Sequence, residues 1–123
     1  MLFRSESAAT AMVALTENLK RANATVVKAT TFEFLRRGVG GAAKGERPDL
    51  IVVDPPRAGL GAETAELLGK IAAPVLVYVS CDPATLARDL RGLVAAGYAI
   101  EHMTLADLFP QTFHLETVVR LRR

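Results

Sequence analysis

The chain has one cysteine, Cys81, in 123 residues, so no disulfide can form within it and its fold must rest on packing. It has no apolar run of about 18 residues and no charged-then-apolar leader, the signatures of a membrane helix and a secretory signal. It has no large excess of either charge: 15 Lys and Arg stand against 13 Asp and Glu. That balance argues against both charge-driven disorder and a polyanion-binding tail. Internal repeats and low-complexity segments are also missing. The expectation is a soluble, cytoplasmic protein without a membrane partner. Half the residues are hydrophobic, and a chain of this length can bury roughly two-thirds of its unfolded surface, enough for a real core. The pI near 9.0 permits an RNA partner without requiring one.

The apolar pattern reads as alternating helices and strands. After the short opening "MLFRSE", Ala8, Met12, Leu15 and Leu19 recur at helical spacing, and Ser7 is suited to cap a helix over residues 8–22. "ATVVKAT" is β-branched, "FEFLRRG" reads as a short helix, and "GVGGAAKGERP" reads as a glycine-rich surface loop too irregular to cradle a phosphate. "LIVVD", residues 50–54, is a continuous apolar run stopped by Pro55-Pro56, as expected of a strand buried on both faces. A helix over 62–72 follows, and "PVLVYVS" repeats the strand pattern up to Cys81. Asp82 then suits an N-cap and Pro83 the first helical position. Leu86, Leu90, Leu93 and Val94 form an apolar stripe, and Gly97 closes the helix. "YAIEHMTLADLF" and "HLETVVRLRR" have no helix between them and read as an antiparallel pair joined by a proline-containing turn. The whole is an α/β domain.

In open α/β sheets the ligand crevice lies beyond the carboxyl ends of the strands, and "DPPR" and "SCDP" both fall at such ends. Asp54 can accept hydrogen bonds from a flat amide or imide, or simply cap a helix. Cys81 lies just ahead of a helix N-terminus, whose dipole favours a thiolate, although the neighbouring Asp82 carboxylate opposes it. A lone cysteine is also often a small core residue. Glu116, near the start of the last strand, reads either as a general base or as a solvated edge residue. His114, two positions earlier, shares its face and opens a further reading as the activator of the thiol. His102 reads as structural. Arg57, Arg88, Arg91 and the terminal "RLRR" offer scattered charge for phosphate.

Three stretches then align together: "DPPRAGL" at 54–60, "YVSCDPATLARDL" at 78–90 and "DLFPQTFHLETVV" at 107–119. They resemble the C-terminal catalytic part of the S-adenosylmethionine-dependent RNA 5-methyluridine (uracil-C5) methyltransferases, which modify ribosomal or transfer RNA. The resemblance implies a Rossmann-like class I methyltransferase sheet, mostly parallel with an antiparallel C-terminal strand pair. It implies Cys81 as the nucleophile that adds to uracil C6 and Glu116 as the base that removes the C5 proton. By the same resemblance, Asp54 contacts the uracil edge or helps hold the cofactor, with Arg57 beside it toward the substrate. The cofactor is S-adenosyl-L-methionine.

The sequence departs from that family's pattern at its start. "LFRSE" resembles the second strand of the methyltransferase sheet, which makes Glu6 the match for the carboxylate that holds the cofactor's ribose. The first strand, with its glycine turn, has no counterpart in residues 1–123. The chain is therefore expected to be a single partial catalytic domain, inactive alone or dependent on a partner that supplies the strand. Its open sheet edges invite pairing with each other or with a second copy.

Overall fold

The computed structural model describes residues 2–6, 8–22, 24–37, 47–108, 110–112 and 115–123. They form two compact units, Met1–Glu46 and Arg47–Arg123. The first contains strand β1 (Leu2–Glu6), helix α1 (Ala9–Asn18), strand β2 (Ala24–Lys28) and helix α2 (Thr31–Arg36). The two strands pair in parallel from Leu2 opposite Ala24 to Glu6 opposite Lys28.

Helix α1 is shorter than its sequence pattern predicts. Beyond Asn18 the chain tightens into three-residue turns, with the Lys20 amide bonded to the Glu17 carbonyl at 3.3 Å and the Ala22 amide to the Leu19 carbonyl at 2.9 Å. The expected cap, Ser7, lies outside the described residues; the N-cap position falls on Ala8, which makes no side-chain capping bond. Helix α2 has the reciprocal arrangement that α1 lacks. The Glu33 amide donates to Thr30 Oγ1 at 3.2 Å while the Thr30 amide donates to the Glu33 carboxylate at 3.1 Å. The glycine-rich stretch over residues 38–46 lies outside the described residues.

The second unit is built from strand β3 (Leu50–Val53), helix α3 (Ala62–Ile71), strand β4 (Val75–Ser80), helix α4 (Pro83–Ala95) and strands β5 (Ala99–Ala106) and β6 (Glu116–Arg122). Its sheet runs β3-β4-β6-β5. β3 and β4 are parallel, as a strand–helix–strand crossover requires, whereas β6 runs antiparallel to both of its neighbours, β4 and β5. Ile51, Val53, Leu76, Tyr78, Val119 and Leu121 share one face of the sheet, and all but the half-buried Ile51 are buried with Leu68, Leu86 and Leu93 of the two helices. The helices themselves approach closely, since a Cβ on Gly69 would run into the Ala96 side chain.

Two expectations about burial need correction. β3 is not buried on both faces: Leu50 is 53% and Val52 60% exposed, because α3 and α4 cover only the face that carries Val53. β4 likewise alternates between buried and half-buried residues. In α4 the stripe consists of Leu86, Leu90 and Leu93, while Val94 is 46% exposed. At about 100° per residue Val94 lies at the flank of that stripe, and the opposite flank is occupied by Asp89, only 2% exposed. Both ends of α4 are as the sequence predicts. Asp82 accepts from the Thr85 amide at 2.8 Å, Pro83 opens the helix, and Gly97 takes the left-handed φ of 100° that ends it.

Asp89 is the one carboxylate buried in this core. One of its oxygens accepts from the Tyr78 hydroxyl at 2.7 Å and the Leu60 amide at 2.6 Å; the other accepts from Arg88 Nε at 3.0 Å and the Gly61 amide at 3.3 Å. Burial pushes its pKa up, but the hydrogen bonds from Tyr78, Leu60 and Arg88 together outweigh burial and hold it below the ordinary carboxylate range. Burial and the adjacent Asp89 charge push the Tyr78 hydroxyl the other way, so it stays protonated and donates.

Two variants test the helix face. Leu90→Asp should lose several kcal/mol through an unpaired buried carboxylate, and the exposed Arg91→Ala should stay within about 0.5 kcal/mol of the parent. Equal thermal midpoints would contradict the assignment. For Asp89 the folded pKa lies below the unfolded value of about 3.9, so the stability it provides is complete above that pH and is lost as pH falls through the folded value. Asp89→Asn should therefore be less stable at pH 7 and should lose less on acidification than the parent, as read by urea unfolding across the pH range.

Candidate active site

The carboxyl ends of β3 and β4 and the amino end of β6 meet along one margin of the sheet. Val53 pairs with Tyr78, and Asp54 is the next residue out from β3. Ser80 pairs with Thr117 in the antiparallel ladder, so Cys81 and Glu116 are the next positions along the two strands at the same end. Asp54, Cys81 and Glu116, separated by as much as 62 residues in sequence, are thus brought to one margin by the topology.

The turn at Cys81 is fixed from both sides. The Ser80 hydroxyl, nearly buried, donates to the Asp82 carbonyl at 3.0 Å and accepts from the Asp82 amide at 3.2 Å, bridging the cysteine. Asp82 then commits its carboxylate to the Thr85 amide, and that backbone hydrogen bond is the chief reason its pKa is lowered. Cys81 itself is a free thiol of intermediate exposure. It is not the fully buried small residue that lone cysteines often are, and it stands one position outside the N-cap of α4, where the helix dipole is felt.

The segment after Asp54 is fastened to α4 rather than left as a loose loop. Thr85 Oγ1 donates to the Arg57 carbonyl at 2.9 Å, Arg88 donates to the Ala58 carbonyl at 2.7 Å, and Asp89 takes the Leu60 and Gly61 amides. Gly59 sits within this attachment at φ 77°, and a Cβ there would overlap Asp89 and Arg88. Arg88 is therefore engaged in holding backbone and in pairing with Asp89. The side chain of Arg57 is exposed at the same margin as Asp54, which is also exposed.

Glu116 opens β6 and is half-buried, opposite Ala106 of β5. It is not on an edge strand, since β6 lies between β4 and β5. Glu6 is the last residue of β1; its side chain lies outside what is described, as does the whole of His114. His102 is exposed on β5. The residues that the sequence reading missed are Tyr78, Thr85 and Asp89. The available signal was a charged residue, Asp89, placed within the apolar face of an otherwise regular amphipathic helix.

Comparison with known proteins bears on what this margin does. The profile of the tRNA (Uracil-5-)-methyltransferase family matches residues 32–123. An uncharacterized RNA methyltransferase of Clostridium tetani is 43% identical over 105 residues, covering 84% of this chain and 23% of its own length. One from Thermotoga maritima is 43% identical over 101 residues, covering 82% and 22%. The chain thus spans less than a quarter of the length of these curated relatives. Among solved structures, the Pyrococcus abyssi tRNA (uracil-54, C5)-methyltransferase in complex with S-adenosyl-L-homocysteine superposes with a TM-score of 0.78 at 32% identity, covering 97% of this chain and 28% of that one. The N-methyltransferase NodS of Bradyrhizobium japonicum, 18% identical with a TM-score of 0.74, shares the fold alone. The α/β architecture is accordingly that of the Rossmann-like methyltransferases, and the chain belongs to the tRNA (uracil-5-)-methyltransferase family.

Proposed function

We propose that this chain is the catalytic portion of an RNA (uracil-C5) methyltransferase acting on transfer or ribosomal RNA in the cytoplasm. The observation that carries the reading is the meeting of Asp54, Cys81 and Glu116 at one sheet margin, with Cys81 and Glu116 at successive positions beyond the Ser80–Thr117 pair.

Uracil C5 is a poor nucleophile until C6 is attacked. The Cys81 thiolate adds to C6, forming an S–C6 bond and leaving an enolate whose negative charge reaches C5. S-adenosyl-L-methionine, when bound, supplies an electrophilic methyl group. C5 would take that methyl as the sulfonium S–CH3 bond breaks and its electron pair stays on the departing S-adenosyl-L-homocysteine, and the Glu116 carboxylate would then remove the proton left on C5. The electron pair of the C5–H bond reforms the C5–C6 double bond and expels the Cys81 thiolate. Asp54 offers acceptor oxygens to the imide edge of the base, and Arg57 offers charge to the neighbouring phosphates. Its exposure supports Cys81 in the nucleophilic role, and its place at the head of the ladder supports Glu116 as the base.

On the cofactor side, β1 ends at Glu6 beside a parallel β2, and a carboxylate at the carboxyl end of such a strand fits the ribose hydroxyls. Within the second unit, Asp54 follows the carboxyl end of β3, where a carboxylate can also help hold a cofactor. Among the described residues the outer edge of β3 has no strand partner, which supports pairing there with a further strand, supplied by the same protein or by a second copy.

Variants of the full-length protein separate the two chemical roles. With Cys81→Ala, neither 5-methyluridine nor a covalent RNA adduct should form, because C5 is never activated. With Glu116→Gln, methylation should proceed and then stall, so that RNA accumulates on Cys81 in a denaturing gel. Normal turnover by Glu116→Gln would remove Glu116 from the role of base.

A further inference from the structure

We propose that Thr85, Arg88 and Asp89 act as positioning residues that lock the segment from Asp54 to Gly61 to the Cys81 turn, so that the groups facing the base move as one body. The proposal rests on the reading of this margin as the uracil site. The three side chains stand at i, i+3 and i+4 on α4, one helix face, and they hold four backbone groups between Arg57 and Gly61. Thr85 holds the Arg57 carbonyl, Arg88 the Ala58 carbonyl, and Asp89 the Leu60 and Gly61 amides.

The residue after Cys81, Asp82, is the N-cap of the same helix, and its carboxylate accepts from the Thr85 amide at 2.8 Å, while the Thr85 hydroxyl goes to the Arg57 carbonyl. One threonine therefore joins the cysteine turn to the Asp54 segment. From below, Tyr78 ties Asp89 to the strand that leads into Cys81. The prolines at 55 and 56 supply no amide donors, so the segment cannot be held by a strand ladder at that point and depends on side chains from outside it. Gly59 permits the close approach.

Asp89 also carries stability, but the Thr85 hydroxyl bond to the segment acts on geometry more than on affinity or folding. A displacement of about 1 Å between reacting groups costs up to roughly a hundredfold in rate. The test is the formation of the covalent adduct between the full-length protein and RNA containing 5-fluorouridine, followed over a range of RNA concentrations. Thr85→Val, which removes only the hydroxyl, and Arg88→Met, which keeps the aliphatic stem, should lower the saturating adduct rate by about tenfold or more. The half-saturating RNA concentration should change by less than about threefold, the thermal midpoint of Thr85→Val should stay within a few degrees while that of Arg88→Met falls further because Asp89 loses a partner, and Thr85→Ser should restore the rate. Parent-like rates in Thr85→Val and Arg88→Met would overturn the proposal. So would a loss that Thr85→Ser fails to restore. Hydrogen exchange at Leu60 and Gly61 distinguishes this failure from failure of the uracil reading. If the parent forms no adduct but these amides are protected and lose protection in Arg88→Met, the attachment stands and the substrate assignment falls. If they exchange as free loop amides in the parent, the attachment itself is refuted.

Discussion

Asp89 shares its two carboxylate oxygens among Tyr78, Leu60, Gly61 and Arg88, and the geometry beyond the ends of β3 and β4 depends on that sharing. A buried carboxylate without partners is costly, so its burial is sustained only while strand, segment and helix are all in place. The result is cooperative: Tyr78 cannot leave its position in β4, nor the segment its position over α4, without stranding the same charge. Arg88, about half exposed, completes the balance from the solvent side, and among the described residues its pairing with Asp89 at 2.9 Å is the one ion pair that reaches a buried group. The remaining ion pairs among the described residues lie between partly exposed side chains and contribute little by comparison.

This constraint explains how a short stretch of chain presents chemistry at a stable margin. Parallel pairing of β3 with β4 brings Asp54 alongside the strand leading to Cys81. Insertion of β6 between β4 and β5 then brings Glu116 to the same end from the opposite chain direction. The Ser80 hydroxyl and the Asp82 cap fix the turn that exposes the thiol. Each device is local, and α4 connects them, so the helix serves the site as much as it serves the core.

What the sequence disclosed follows from the range of each interaction. The cap of α4 was legible because Asp82, Pro83 and Thr85 are neighbours, and the antiparallel pair was legible because nothing helical separates its strands. The three motifs carry the family resemblance in the sequence alone, and the matched region of residues 32–123 contains all of them. Burial was harder to read. An apolar run such as "LIVV" looks the same whether one face or both are covered, and here only one is covered by α3 and α4. The stripe of α4 was displaced by one flank for a similar reason: Val94 has the hydropathy of a core residue and Asp89 does not. Besides the adjacent Arg88, the partners that make the buried carboxylate acceptable lie 11 and 28–29 residues away in sequence. No local pattern encodes such a partnership.

The central claim is that Cys81 and Glu116 act on opposite stages of one uracil, with Asp54 at its edge. A crystal structure of the full-length protein trapped on RNA containing 5-fluorouridine measures this most directly. The account predicts a covalent bond from Cys81 Sγ to C6 of the base, the Glu116 carboxylate within hydrogen-bonding reach of the C5 substituents, and Asp54 against the imide edge. A base bonded elsewhere, or Glu116 turned away from C5, would contradict it.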